Sequence, residues 1–125
     1  MLPLLAKTRL LLLDDDPSMQ RLMATLLRRA GHKVDVVSEA AQALEKLGKY
    51  DYDALLLDIM TPTEGGMTVI KYLRKARPAL LKKVVLVTGS PDSVLKSVSS
   101  DVYGIVRKPF EANDLLNAIQ KIVRR

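Results

Sequence analysis

The strongest constraint on this chain is that its short apolar runs are uninterrupted. Arg9-Leu10-Leu11-Leu12-Leu13, Asp53-Ala54-Leu55-Leu56-Leu57 and Lys83-Val84-Val85-Leu86-Val87 show no alternation with polar residues. A strand with one wet face alternates; a strand covered on both faces does not. The segments between the runs have helical spacing instead. Met19, Leu22, Met23, Leu26, Leu27 and Ala30 recur at three and four residues and line one face of a helix. Asp16 stands where an N-cap belongs, Pro17 at the first helical position, and Gly31 where the helix ends.

The pattern continues. Lys33 to Val37 reads as a second strand. A helix capped by Ser38 carries Ala40, Leu44 and Leu47 and stops at Gly48. Met67, Ile70 and Leu73 mark a helix that ends before Pro78. Asp92 to Ser99 is a weak, serine-rich helix, Tyr103 to Arg107 a short last strand, and Leu115, Leu116, Ile119, Ile122 and Val123 mark a final helix. Strands that each lead into a helix predict an α/β fold, doubly wound, with a parallel sheet covered on both faces.

At 125 residues this is one domain. The absence of cysteine excludes disulfides, thiolate metal sites and cysteine nucleophiles. No apolar run approaches the roughly 20 residues that span a bilayer. The opening Met1-Leu2-Pro3-Leu4-Leu5-Ala6 is too short for a signal-peptide core and reads as a tail, so a cytoplasmic domain without membrane contact is expected. The net charge is +6, with its densest cluster at Arg74, Lys75, Arg77, Lys82 and Lys83, a solvated face around a helix end. With one phenylalanine, scattered tyrosines and no helix-turn-helix signature, specific nucleic-acid binding is not expected. No phosphate loop rich in Ser, Thr and Gly follows the first strand, which argues against a flavodoxin-like cofactor binder.

Ligands of an open parallel sheet gather outside the carboxyl ends of its strands. The first strand here runs into Asp14-Asp15-Asp16, the third into Asp58, the fourth into Thr88 and the fifth into Lys108. Singly, these are ordinary cap, turn or surface residues. Together they place carboxylates, a hydroxyl and an ammonium at one rim. Clustered carboxylates raise one another's pKa, and a hard cation such as Mg²⁺ relieves that cost. An aspartate can act as a nucleophile, and a cation and a lysine suit the charge of a phosphoryl group in transfer.

These residues carry a resemblance. Leu11-Leu12-Leu13-Asp14-Asp15-Asp16-Pro17, Asp58-Ile59-Met60-Thr61-Pro62 with Gly66 beyond, Val87-Thr88-Gly89 and Lys108-Pro109-Phe110 resemble the signature segments of two-component receiver domains. The resemblance runs from about Arg9 to Val123. It implies a flavodoxin-like (βα)5 sandwich with strand order 2-1-3-4-5, a receiver domain over residues 9–125 and a tail over 1–8. It makes Asp58 the phosphoacceptor, and makes Asp14, Asp15, Asp58 and the Met60 carbonyl the ligands of Mg²⁺. Thr88 would sense the phosphoryl group, Lys108 would pair with it, and the Lys108–Pro109 peptide would be cis. The donor would be a sensor histidine kinase or a histidine phosphotransfer protein, and the output partner is left open. The domain would be a monomer or weak dimer that catalyses only its own aspartyl phosphorylation and dephosphorylation.

The family pattern is broken at Ile105, where an aromatic switch residue is common, at Thr61, where methionine is common, and in a shortened Thr88-to-Lys108 stretch. An aliphatic side chain offers only a packing response, so activation is expected mainly in the backbone from Gly89 through Lys96. Asp14-Asp15-Asp16-Pro17-Ser18 also contains Asp-x-Asp-x-Ser, similar to the nucleophile motif of haloacid-dehalogenase-type phosphatases. Against that alternative, the chain is short for that fold with a cap, and Asp92 and Asp101 stand alone rather than as a later acidic pair.

Overall fold

In the computed structural model, which describes residues 7–123, the apolar runs form one parallel sheet: β1 (Arg9–Leu13), β2 (Lys33–Val37), β3 (Ala54–Leu57), β4 (Val84–Thr88) and β5 (Gly104–Arg107). Its order is β2-β1-β3-β4-β5, as the resemblance implies. Between and after the strands lie α1 (Pro17–Arg29), α2 (Ala40–Lys49), α3 (Gly65–Ala76), α4 (Asp92–Leu95) and α5 (Ala112–Val123). Because side chains alternate along a strand, each apolar run feeds two cores.

Leu11, Leu13, Leu55, Leu57, Val84 and Leu86 pack with Ala43 and Leu47 of α2 and Val69, Ile70 and Leu73 of α3. Leu10, Leu12, Ala54, Leu56, Val85 and Val87 pack with Met23, Ala24 and Leu27 of α1 and Leu115, Ile119 and Ile122 of α5. Every residue of β3 and β4 is buried. Each fully buried leucine contributes roughly 1.5–3 kcal/mol over leaving it exposed. The sheet is therefore rigid where its carboxyl ends present the acidic residues.

Caps decide several boundaries. Asp16 is the N-cap of α1 and its side chain accepts from the Ser18 amide at 3.0 Å. Gly31 takes φ 101° just beyond the helix, a conformation that suits glycine. Ser38 does not cap α2. Glu39 is the N-cap, and the Gln42 side chain accepts from both the Ser38 and Glu39 amides. Gly48 does not stop that helix either, which runs on to Lys49. The loop before α3 is closed by Thr61, whose Oγ1 accepts from the Gly65 amide at 2.8 Å. Glu64 is the N-cap of α3 and makes no side-chain cap bond; the buried Thr61 hydroxyl satisfies the first helical amide instead, a role that methionine could not fill.

Two segments differ from expectation. Pro78–Lys83 forms a 3-10 helix between α3 and β4. The helix predicted over Asp92 to Ser99 is α-helical only to Leu95. It is better anchored than its serines imply, because Leu95, Val98 and Val102 are all buried. Ile105 packs partly buried against the same core. The residues read as a tail are described from Lys7 onward; the rest of that segment, Met1 to Ala6, and the Arg124-Arg125 end lie outside the described residues. Thr8 already pairs with β2, its carbonyl accepting from the Lys33 amide at 2.8 Å.

At the amino ends of the strands, Arg9 and the Tyr52 hydroxyl both hold Asp35, at 3.0 Å and 2.6 Å. Burial works to raise the Asp35 carboxyl, but the Tyr52 and Arg9 hydrogen bonds outweigh it and hold the group below the usual carboxylate range. A carboxyl lowered on folding adds stability above its unfolded value, about pH 4, and loses it as pH falls through the folded value. Tyr52→Phe should cost about 1 kcal/mol at neutral pH. It should also flatten the acid limb of a urea-denaturation series; an unchanged limb would contradict the assignment.

Candidate functional site

The register of the sheet brings the acidic strand ends side by side. Leu13 pairs with Leu57 across β1 and β3, and the Asp58 amide donates to the Leu13 carbonyl at 3.0 Å. Asp14 and Asp58 therefore leave adjacent strands at the same level. On the other side, the Lys108 amide donates to the Thr88 carbonyl at 3.0 Å, which ties the end of β5 to the end of β4. The Lys108–Pro109 peptide is cis.

The side chains then converge. Lys108 Nζ donates to Asp14 Oδ2 at 2.7 Å and to Asp58 Oδ2 at 2.8 Å. Thr88 Oγ1 donates to Asp58 Oδ1 at 2.7 Å, and the Met60 amide donates to the same oxygen at 2.9 Å. Asp14, Asp58 and Thr88 are buried, with 1%, 6% and 0% of their surface exposed. Burial acts to lower the Lys108 ammonium, but its hydrogen bonds to Asp14 and Asp58 and their charges raise it above lysine's ordinary value. Lysine is rarely buried unless paired, and here one ammonium serves two carboxylates.

Of the residues singled out in the sequence, Asp14, Asp58, Thr88 and Lys108 meet. Asp15 does not join them. It is exposed, and no group of three His, Cys, Asp or Glu side chains among the described residues stands in metal-binding arrangement. Met60 contributes its amide, and the residue as a whole is 56% exposed. Asp16, the second aspartate of the phosphatase-like Asp-x-Asp-x-Ser motif, is taken up in capping α1.

Three further residues shape the site. Gly66 lets α3 lie against the Asp58 backbone: a β-carbon there would stand 2.3 Å from the Asp58 carbonyl oxygen and 2.7 Å from its carbon. The Gln20 amide donates to the Asp14 carbonyl and, at 3.0 Å, to Ser38 Oγ, bracing the first loop. Ser90 is buried against Thr88. No periodicity or charge pattern marks Gln20 or Ser90, since each acts through a few local hydrogen bonds; Gly66 stands out in the sequence only as part of the Asp58 segment.

The donor chemistry at the rim, carboxylate oxygen, is the kind a small hard cation takes. Two buried carboxylates reach one nitrogen at 2.7 and 2.8 Å, with Asp15 exposed beside them. Mg²⁺ commonly takes one or two carboxylates and completes its shell with water and phosphate oxygens.

The family model of the response regulator receiver domain matches residues 10–120. The transcriptional regulatory protein TcrA of Mycobacterium tuberculosis is 29% identical over 94% of this chain and 46% of its own length. The DNA-binding response regulator MtrA of Mycolicibacterium smegmatis is 30% identical over 95% of this chain and 52% of its own. The chain thus spans about half the length of the curated relatives it matches. Among solved structures, a CheY-like response regulator receiver domain protein from Methanospirillum hungatei superposes with a TM-score of 0.82 at 26% identity, covering 95% of each chain. The response regulator TrrA of Thermotoga maritima, solved in complex with Mg(2+)-BeF, gives a TM-score of 0.81 at 27% identity over 92% of this chain and 98% of that one. None of these relatives supports the phosphatase alternative. The family match begins in β1 and reaches into α5, taking in all four of the residues that meet at the rim, and on that coverage the chain belongs to the response regulator receiver domains of two-component signalling systems.

Proposed function

We propose that Asp58 is the phosphoacceptor of this receiver domain. The observation that carries the reading is the Lys108 bridge. The partly buried Lys108 ammonium holds Asp58 Oδ2 at 2.8 Å while Thr88 holds Oδ1 at 2.7 Å, so the carboxylate is fixed and flanked by donors. The donor molecule is a phosphohistidine on a sensor histidine kinase or a histidine phosphotransfer protein. An Asp58 carboxylate oxygen attacks phosphorus, an O–P bond forms, the N–P bond breaks, and the imidazole leaves with the electron pair. Lys108 pairs with the added charge, and Thr88 turns its O–H to a phosphoryl oxygen.

Asp14, Asp15, Asp58 and the Met60 carbonyl would hold Mg²⁺, which when bound offsets the negative charge gathered on the phosphoryl oxygens. TrrA, solved with Mg(2+)-BeF, supports that assignment. The domain catalyses only its own phosphorylation and dephosphorylation, works in the cytoplasm as a monomer or weak dimer, and passes its state to an output partner. It occupies residues 9–125, and it reads no DNA sequence itself.

Acetyl phosphate or phosphoramidate should label the protein stoichiometrically with Mg²⁺ and not with excess chelator. A protein that takes up no phosphoryl group under these conditions would contradict the proposal. Asp15→Ala should remove most of the Mg²⁺ affinity measured by isothermal titration, and unchanged binding would remove Asp15 from the ligand set.

A further inference from the structure

Thr88 has a second hydroxyl neighbour that the proposed chemistry does not use. Ser90 Oγ lies 3.0 Å from Thr88 Oγ1, and the Ser90 amide donates to the same oxygen at 3.3 Å. Ser90 is 1% exposed. Thr88 has a single O–H, and at 2.7 Å it goes to a carboxylate oxygen of Asp58. An ionised carboxylate only accepts, so the direction of the other bond follows: the Ser90 hydroxyl donates to Thr88 Oγ1. The threonine oxygen gives one hydrogen bond and receives two, which is its full capacity.

Among the described residues, Ser90 Oγ has no hydrogen-bond partner except Thr88. A buried hydroxyl is costly unless bonded, and this one is committed wholly to the threonine. Its backbone is also constrained. β4 ends at Thr88, and Pro91 follows Ser90, which keeps Ser90 out of the helical region.

We propose that Ser90 is the positioning residue for Thr88: its buried hydroxyl grips Thr88 Oγ1 and fixes the rotamer that aims the threonine O–H at Asp58. The inference rests on the reading of Asp58 as phosphoacceptor. Thr88 then stands at the acceptor before any phosphoryl group arrives. Transfer needs only to redirect one hydroxyl hydrogen, from Asp58 Oδ1 to a phosphoryl oxygen, while Ser90 keeps hold of the threonine oxygen. Hydrogen bonds in a chain polarise one another, so donation from Ser90 also makes the Thr88 O–H a better donor. Ile105, an aliphatic side chain packed against the neighbouring core, cannot supply that restraint.

The test is a double-mutant cycle on beryllofluoride binding in the presence of Mg²⁺, joined to the Thr88 χ1 couplings of the free protein. Ser90→Ala should weaken beryllofluoride binding about five-fold, the worth of one hydrogen bond. In a Thr88→Val background the same change should do nothing. Without metal or beryllofluoride, Thr88 in the wild type should show one rotamer, and in Ser90→Ala an average of several. An equal loss in both backgrounds, or a Thr88 rotamer that ignores Ser90→Ala, would overturn the proposal. A wild type that binds no beryllofluoride would count against Asp58 as acceptor, and the χ1 couplings would still decide the role of Ser90. They also decide it if Thr88→Val fails to fold.

Discussion

Asp58→Asn should reduce labelling by small phosphodonors to background while the domain stays folded. The amide has the size and shape of the carboxylate but carries no charge and is not a nucleophile. Three donors converge on Asp58: the Met60 amide, the Thr88 hydroxyl and the Lys108 ammonium. An amide can serve the first two through its oxygen. Its NH₂ then meets Lys108 donor to donor, so Lys108 should keep only Asp14. Loss of labelling without loss of fold separates a chemical role from a structural one. Far-UV circular dichroism and a thermal melt alongside the labelling assay give both readings, and full labelling of the variant would sink the assignment.

Gly66→Ala should be the most damaging single-methyl change near the site. The added carbon would stand 2.3 Å from the Asp58 carbonyl oxygen and 3.0 Å from the Ile59 nitrogen, both backbone atoms that cannot rotate away. Either α3 moves off the sheet or the Asp58 loop moves out of line. Overpacking of this kind costs about 3 kcal/mol, a fall of roughly 10 °C in melting temperature for a domain of this size. Labelling should fall with it, because Asp58 would no longer meet Lys108 and Thr88. A variant that melts within a degree or two of the wild type would show that α3 yields freely there. Gly65→Ala is the control: its β-carbon would meet the Leu13 side chain at 3.4 Å, an ordinary contact.

The sheet was legible in the sequence because burial on both faces leaves its mark in composition. Leu10 to Leu13 and Val84 to Val87 have no room for a polar residue, since one half of each run faces α1 and α5 or their neighbours and the other half faces α2 and α3. The convergence of Asp14, Asp58, Thr88 and Lys108 was legible for a topological reason: all four stand at the carboxyl ends of parallel strands and so on one side of the sheet. What could not be read are features fixed by single contacts. Glu39 rather than Ser38 begins α2 because Gln42 folds back on the amides. Asp53 stands just before β3 rather than in it, its carboxylate accepting from the Arg9 amide at 2.8 Å. Pro78–Lys83 winds into a 3-10 helix whose only buried residue is Leu81, too little apolar pattern to announce itself. The serines after β4 make that helix look weak in the sequence, yet its order comes from Leu95 and Val98, both in the core.

The central claim is that one carboxylate, Asp58, takes the phosphoryl group. The most direct measurement is peptide mapping by mass spectrometry of wild-type protein labelled in the presence of Mg²⁺, quenched before the acyl phosphate hydrolyses. A single phosphorylated site is expected, within the peptide that contains Asp58, with Asp14 and Asp15 unmodified although they stand at the same rim. A phosphoryl group on Asp14 or Asp15, or on a serine or threonine such as Thr88, would contradict it.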